Sequence, residues 1–390
     1  MSYVLRDYQQ KASDAAVSFF ANKTKRNNAI MVLPTGAGKS LVIADIASRL
    51  EGHTLVFQPS KEILEQNYLK LCSYGILDCS VYSASFGRKD ISRITFATIG
   101  SVKNHPELFQ HFRNIIIDEC HLVNPKEGMY KDFLTMLQCK VLGLTATPYR
   151  LSSSRDFGSM LKFITRTRPC VFSEVIYQVQ ISTLLDMGYL SKLNYYAMNP
   201  LGWNELNLKV NTTGADYTDK SVVKEYERID FYGFLVSIVR RLMNPKVGGK
   251  RKGILVFTRF LKEAQRLTQS IPGTAIVSGD TPKKERERIL EEFKAGEIPV
   301  VANVGVLTTG FDYPELDTIV MARPTMSLAL WYQIVGRVIR PHPTKEAGWI
   351  VDLCGNIKRF GEVKDLRLVN GGNGKWAVFS NNRQLTNVRF

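Results

Sequence analysis

The run Pro34-Thr35-Gly36-Ala37-Gly38-Lys39-Ser40 joins small residues to one cation and one hydroxyl. Glycines let backbone N–H groups wrap around an anion, and a helix opening at Lys39 adds partial positive charge at its first turn. Such a cradle suits polyphosphate. Thr35, Gly36, Ala37 and Gly38 would surround the phosphates of ATP, Lys39 would reach the β- and γ-phosphates, and the Ser40 hydroxyl would hold Mg2+. The strict loop pattern asks for glycine where this chain has Leu33. Further on, Asp118-Glu119-Cys120-His121 ends the most apolar segment of the first half. Asp118 is placed to bind Mg2+, directly or through water. Glu119 would polarise an attacking water, and His121 would sense the γ-phosphate.

A second basic constellation lies near the other end. Gln333, Gly336, Arg337 and Arg340 fall at i, i+3, i+4 and i+7, so one helical face would present all four. Guanidinium forks match phosphate oxygens, which makes Arg337 and Arg340 candidates to complete a phosphate site from another part of the fold.

Positioning these groups requires strands that end at the site. Short β-branched runs at Ala29–Leu33, Thr54–Gln58, Ile94–Ala97, Asn114–Asp118 and Val141–Thr145 alternate with helical stretches at Asp7–Ala21, Lys39–Leu50, Lys61–Tyr74 and Lys126–Gln138. Runs without polar alternation indicate strands covered on both faces, hence a mainly parallel sheet. A second series follows at Asn194–Ala197, Gly253–Thr258, Thr274–Ser278, Pro299–Asn303, Asp317–Ala322 and Trp349–Asp352, with helices at Ser221–Met243, Leu261–Ser270, Thr281–Lys294 and Ser327–Arg340. The pattern predicts an α/β chain of two tandem domains, residues 1–165 and 170–353, joined within Leu151–Pro169. Residues 354–390 form a basic tail with a possible β-hairpin, expected to pack on the second domain through Trp376 and Phe379, with stacking of these rings on bases or on a partner as the alternative. The loop Gly248–Gly253 is basic and glycine-rich.

With these motifs in order, the chain resembles a superfamily 2 helicase of the DExH type, from Leu5 to Arg340. That resemblance implies two RecA-like domains of the P-loop NTPase type. It implies adenine recognition by Arg6 and Gln9, and contacts to a nucleic-acid strand from Pro59, Ser60, Thr98 and Ser101. Thr145 and Thr147 would couple hydrolysis to movement. In the second domain Thr258, Arg259 and Thr308 would touch nucleic acid, Gly310 and Asp312 the nucleotide, and Gln333, Arg337 and Arg340 would act in catalysis beside Lys39 and Glu119. Within the superfamily the stretches Leu33–Ala44, Ile117–His121, Leu142–Arg150 and Val304–Gly336 resemble RadD-like DNA-repair ATPases. Those proteins continue into a cysteine-rich, zinc-binding segment that is not present in these 390 residues. The expected activity is nucleic-acid-dependent ATP hydrolysis that moves on, unwinds or remodels DNA. An RNA helicase, or a nucleotide-switched DNA-binding module in a repair or phage-defence complex, are the alternatives.

Composition agrees with that resemblance. Lys and Arg number 52 against 36 Asp and Glu, a formal charge of +16, which suits a polyanionic partner. Single-stranded or branched DNA is the expected partner, with RNA an option, for a motor acting as a monomer. The six cysteines show no C-x-x-C pair, so reduced thiols in a cytoplasmic protein without a zinc site are expected. No signal-peptide core or membrane-length apolar run is visible.

Overall fold

A computed structural model describes residues 4–24, 27–137, 139–154, 158–198, 206–212, 214–245, 251–307 and 311–388. The first lobe runs α1 (Asp7–Ala21), β1 (Ala29–Val32), α2 (Lys39–Arg49), β2 (Thr54–Phe57), α3 (Lys61–Ser73), β3 (Cys79–Ser83), β4 (Arg88–Lys89), β5 (Ile94–Ala97), α4 (Ile99–Val102), β6 (Asn114–Asp118), α5 (Met129–Met136) and β7 (Lys140–Thr145). After a hairpin of β8 (Tyr149–Ser154) and β9 (Gly158–Phe163), β10 (Glu174–Gln178) returns to the sheet. Its order is β10-β1-β7-β6-β2-β5-β3-β4, and all pairings are parallel except the short β3–β4 pair. Every residue of β1, β2, β5 and β6 is buried, as strands covered by helices on both faces require. The loops after β1, β6 and β7 leave neighbouring strands on the same edge, which brings Lys39, Asp118 and Thr145 together.

The second lobe follows a linker helix, α6 (Ile181–Asp186). It comprises β11 (Lys192–Ala197), α7 (Asp219–Arg228), α8 (Phe231–Met243), β12 (Ile254–Thr258), α9 (Leu261–Ser270), β13 (Thr274–Ser278), α10 (Lys283–Ala295), β14 (Val300–Val304), β15 (Thr318–Ala322), α11 (Leu328–Val335), β16 (Ala347–Asp352) and α12 (Asn356–Phe360). The sheet order is β11-β16-β15-β12-β14-β13, parallel throughout. The expected α/β architecture of two mainly parallel sheets is therefore present.

Several expectations need correction. A boundary at 165/170 falls ahead of β10, which pairs with β1 through Ala29↔Glu174 to Val32↔Gln178, so the first sheet extends to Gln178. The helix expected over Ser221–Met243 is two helices, because Asp230 adopts φ 46° and its carboxylate accepts the Gly233 N–H to start α8. The helix expected to continue to Arg340 ends at Val335, and Gly336 begins a turn held by Arg337 N–H to Ile334 O at 3.0 Å. Residues 248–250 of the basic loop lie outside the described residues.

The tail forms a three-stranded antiparallel sheet, β17 (Leu366–Asn370), β18 (Trp376–Ser380) and β19 (Arg383–Gln384), rather than a lone hairpin. Nor does it rest on the second lobe alone. The Gln180 amide bonds both backbone groups of Leu368, donating to O at 2.8 Å and accepting from N at 3.0 Å. Trp376 stacks on Phe163 at 6.3 Å, and Asn387 bonds the backbone of Leu161 and Phe163. On the other side, Trp331 of α11 donates its indole N–H to Gly361 O at 3.2 Å, and Val363 N–H donates to the Tyr195 hydroxyl at 2.9 Å. Trp331 is wholly buried. Trp331→Ala is expected to cost about 3–5 kcal/mol of stability, from lost apolar contact and an unfilled cavity. Urea denaturation measures it, and a loss below about 1 kcal/mol would show that the tail does not lock α11.

Candidate nucleotide site

Two glycines shape the loop between β1 and α2. Gly36 and Gly38 adopt φ 83° and 76°, a region costly for other residues. Space is also lacking: a Cβ on Gly36 would lie 2.8 Å from Leu190 Cδ2, and one on Gly38 would lie 2.5 Å from Gln9 Nε2. Close packing of this loop therefore explains glycine at both points. Thr35 and Ala37 are buried within the loop, and Lys39 and Ser40 open α2 with their side chains lining a cleft of about 670 Å3.

Arg6, Gln9 and Tyr8 approach the loop from the start of α1. Gln9 Nε2 and the Tyr8 hydroxyl both donate to Ala37 O, at 2.9 and 2.8 Å. Gln9 Oε1 accepts the Arg6 backbone N–H at 3.0 Å. Gln9, expected to read adenine, is thus largely engaged in bracing the loop. The Arg6 guanidinium lies 4.2 Å from the ring centroid of Tyr189, so a flat cation and a flat ring mark this end of the cleft.

The acidic pair occupies the floor. Glu119 has φ 48°, a left-handed conformation for a side-chain-bearing residue, and its backbone N–H donates to Asp118 Oδ1 at 2.9 Å. Strain of this kind costs about 1–3 kcal/mol and clusters at functional sites. It turns the Glu119 carboxylate toward Lys39, whose Nζ lies 3.1 Å from Oε1. Its other oxygen lies 3.3 Å from His121 Nδ1 and accepts from the Thr145 hydroxyl at 3.4 Å. His121 Nδ1 also meets the hydroxyls of Thr145 and Thr147 at 2.9 and 3.2 Å, and Thr147 N–H donates to Thr145 Oγ1 at 3.0 Å. The acid pair, His121, Thr145 and Thr147 therefore form one polar network. Burial works against the Glu119 charge, yet Lys39 and then His121 hold its carboxyl well below the usual range. Burial and the Glu119 charge push Asp118 the other way. Asp118 is a cleft-lining carboxylate whose charge is disfavoured without a cation, the environment that a divalent ion on Ser40 and Asp118 would relieve.

The second lobe closes the cleft. Asp312, Gln333, Arg337 and Arg340 line it opposite Lys39 and Glu119. A Cβ on Gly336 would lie 2.6 Å from Thr35 Cγ2, so glycine permits this approach between lobes. Arg337 donates to Phe311 O at 2.6 Å and Gln333 O at 3.3 Å, and burial lowers its guanidinium to about 10, still charged at neutral pH. Arg340 pairs with Asp312. Ser191, in the linker, holds the backbone on both sides of this arginine through Ile339 O and Arg340 O.

Residues expected to grip a nucleic-acid strand divide into groups. Pro59 and Ser60 leave β2, Thr98 and Ser101 follow its neighbour β5, and all four are half-buried. Ser60 caps α3, and the Thr98 and Ser101 hydroxyls lie 3.0 Å apart. Thr258 and Arg259 do not fit the same role. Thr258 is 1% exposed and donates to Asn303 O. Arg259 is fixed by Asp216, Asp219 and Tyr217 O, tying the segment before α7 to the sheet. Thr308 and Gly310 lie outside the described residues.

Sequence reading missed one wall. Ile63, Gln66, Asn67 and Lys70 of α3 line the cleft, as does Tyr189 of the linker. The i, i+3, i+4, i+7 spacing of the α3 residues was available in the sequence, but nothing in it marked that face as turned to the site.

Two family models match in tandem: the res subunit of type III restriction enzymes over residues 2–150, and the helicase conserved C-terminal domain over residues 236–342. IRC3 of Saccharomyces cerevisiae, named for an ATP-dependent helicase, is 25% identical over 90% of this chain and 52% of its own length. The DNA 3'-5' translocase XPB2 of Sulfurisphaera tokodaii is 26% identical over 86% of this chain and 78% of its own. Among solved structures, the ATP-dependent Type ISP restriction-modification enzyme LlaBIII bound to DNA matches with TM-score 0.66 at 19% identity, covering 90% of this chain and 28% of that one. The chain spans about half the length of the curated relative IRC3. Tandem matches on two mainly parallel α/β sheets give this chain a domain like the res subunit of type III restriction enzymes followed by a helicase conserved C-terminal domain.

Proposed function

We propose that the chain is a nucleic-acid-dependent ATPase that translocates on, unwinds or remodels DNA, in the manner of RadD-like repair ATPases. The observation that carries this reading is the single cleft shared by Lys39 and Glu119 from one lobe and Arg337 and Arg340 from the other. ATP binds there with its phosphates in the loop and its base toward Arg6, Gln9 and Tyr189. Mg2+ on Ser40 and Asp118 would neutralise phosphate charge. Glu119 accepts the proton of a water that attacks the γ-phosphorus, and ADP leaves as the bridging P–O bond breaks. Lys39 and the arginines stabilise charge on the transferring group. Because the arginines come from the second lobe, hydrolysis and lobe closure are one event. The network through His121, Thr145 and Thr147 links the acid pair to the chain leading toward the tail. Pro59, Ser60, Thr98 and Ser101, with Thr308 from the second lobe, grip the strand backbone.

The name of the DNA 3'-5' translocase XPB2 supports DNA over RNA. The test is ATP turnover with single-stranded, duplex and branched DNA and with RNA, across a salt series. DNA is expected to stimulate most. Contacts made mainly to phosphates should give little sequence preference, and log affinity should fall against log salt by about 0.7–0.9 per phosphate neutralised. Turnover indifferent to DNA, or affinity indifferent to salt, would end this reading.

A further inference from the structure

The α3 wall of the cleft has no role so far. Its orientation is well fixed. Ser60 caps its start, Lys61 donates to Ser85 O at 2.6 Å, and Asn67 donates to Gln58 Oε1 at 3.0 Å. Ile63, Gln66, Asn67 and Lys70 make one continuous stripe toward the nucleotide space. Lys70 is the one cation of that stripe. It has no hydrogen-bond or ion-pair partner among the described residues, whereas Lys39 has Glu119 and Arg340 has Asp312.

We infer that Lys70 is a nucleotide-binding residue that meets Arg340 across the terminal phosphate of a bound nucleoside triphosphate. Two cations from different lobes line one cleft beside a phosphate loop. Without an anion between them they repel, which favours an open cleft. A terminal phosphate accepts from both, so the triphosphate draws α3 and the residues after α11 together. A diphosphate lacks that bridging group. Burial, and then the Arg340 charge, pull the Lys70 ammonium below its ordinary value, the mark of a cation without its counter-charge. Arg340 packs against the loop, its Cγ 3.9 Å from where a Cβ on Gly36 would lie, and its charge reaches Lys70 across the cleft. The inference deepens the ATP-site reading and rests on it.

The experiment uses the full chain and two fluorescent nucleotides, a diphosphate and a non-hydrolysable triphosphate, titrated against wild type, Lys70→Ala, Lys70→Arg and Lys39→Ala. Loss of one charge-assisted contact should weaken triphosphate binding by Lys70→Ala about 10-fold or more. Diphosphate binding should change by less than about 2-fold, and Lys70→Arg should restore triphosphate affinity. Lys39→Ala should weaken both nucleotides. Wild-type triphosphate affinity in Lys70→Ala, or equal loss of both nucleotides, overturns the role of Lys70 while leaving the site in place. Unchanged binding of both nucleotides by Lys39→Ala would instead remove the site itself. The Lys70 side chain holds no hydrogen bond or ion pair among the described residues, so an unchanged melting temperature accompanies each expected result.

Discussion

Replacing Glu119 by glutamine is expected to lower stimulated ATP turnover by about 10²–10⁴-fold, the range for removing a positioned general base. The side chain keeps its size and can still accept from Thr145 at the same place. What it loses is the ability to take a proton, and the negative charge that faces Lys39 at 3.1 Å. The second loss has a consequence for binding. In the wild type, ATP must draw Lys39 away from a carboxylate, whereas in Glu119→Gln the ammonium is free for phosphate. Nucleotide affinity should therefore hold or rise while hydrolysis falls. Single-turnover hydrolysis measured beside equilibrium nucleotide titration separates these effects. A variant that turns over like wild type would remove Glu119 from the role of base. One that loses nucleotide binding in parallel would make it a structural partner of Lys39. The left-handed backbone at Glu119 does not depend on its carboxylate, since the residue's own N–H bonds Asp118 Oδ1.

The groups on the loop and floor of the cleft were legible because their chemistry admits few alternatives. Gly38-Lys39-Ser40 after an apolar strand, and Asp118-Glu119 ending the Ile115-Ile116-Ile117 run, carry both the element and its purpose. Parallel strands were legible for the same reason, as runs buried on both faces show no alternation. What escaped was decided by partners distant in sequence. β10 reads as an ordinary half-buried segment, and only pairing with β1 makes it part of the first sheet. Arg259 was expected at the nucleic-acid surface, but Asp216 and Asp219, some forty positions earlier, hold it inside. Leu366 and Val378 are apolar enough to suggest burial somewhere, yet the tail's docking depends on Gln180 and Phe163, whose sequence neighbourhoods give no such signal. α7 and α8 read as one helix because the break at Asp230 is a backbone choice compatible with aspartate.

Gln333, Arg337 and Arg340 do not share one helical face, since α11 ends at Val335. The residues still converge on the cleft, and leaving the helix gives the two arginines different partners. Arg337 is 8% exposed and donates to Phe311 O and Gln333 O, so it braces the segment leading to Asp312. Arg340 is held by Asp312 alone among the described side chains, and its guanidinium can exchange that carboxylate for a phosphate. Arg340→Ala is accordingly expected to cut nucleic-acid-stimulated turnover by about 10³–10⁵-fold, the range for an arginine that stabilises a transferring phosphoryl group. Nucleotide binding to the first lobe should stay largely intact, because Lys39, Ser40 and the loop backbone are untouched. Arg340→Lys should recover little, as an ammonium lacks the planar fork. Arg337→Ala should behave differently, with a lowered melting temperature from the loss of two contacts to backbone carbonyls along with its activity. Steady-state turnover with and without DNA, thermal melting and nucleotide titration distinguish the two arginines. Full stimulated turnover in Arg340→Ala would mean that the second lobe does not complete the ATP site, and coupling between the lobes would have to run through the linker at Tyr189–Ser191 instead.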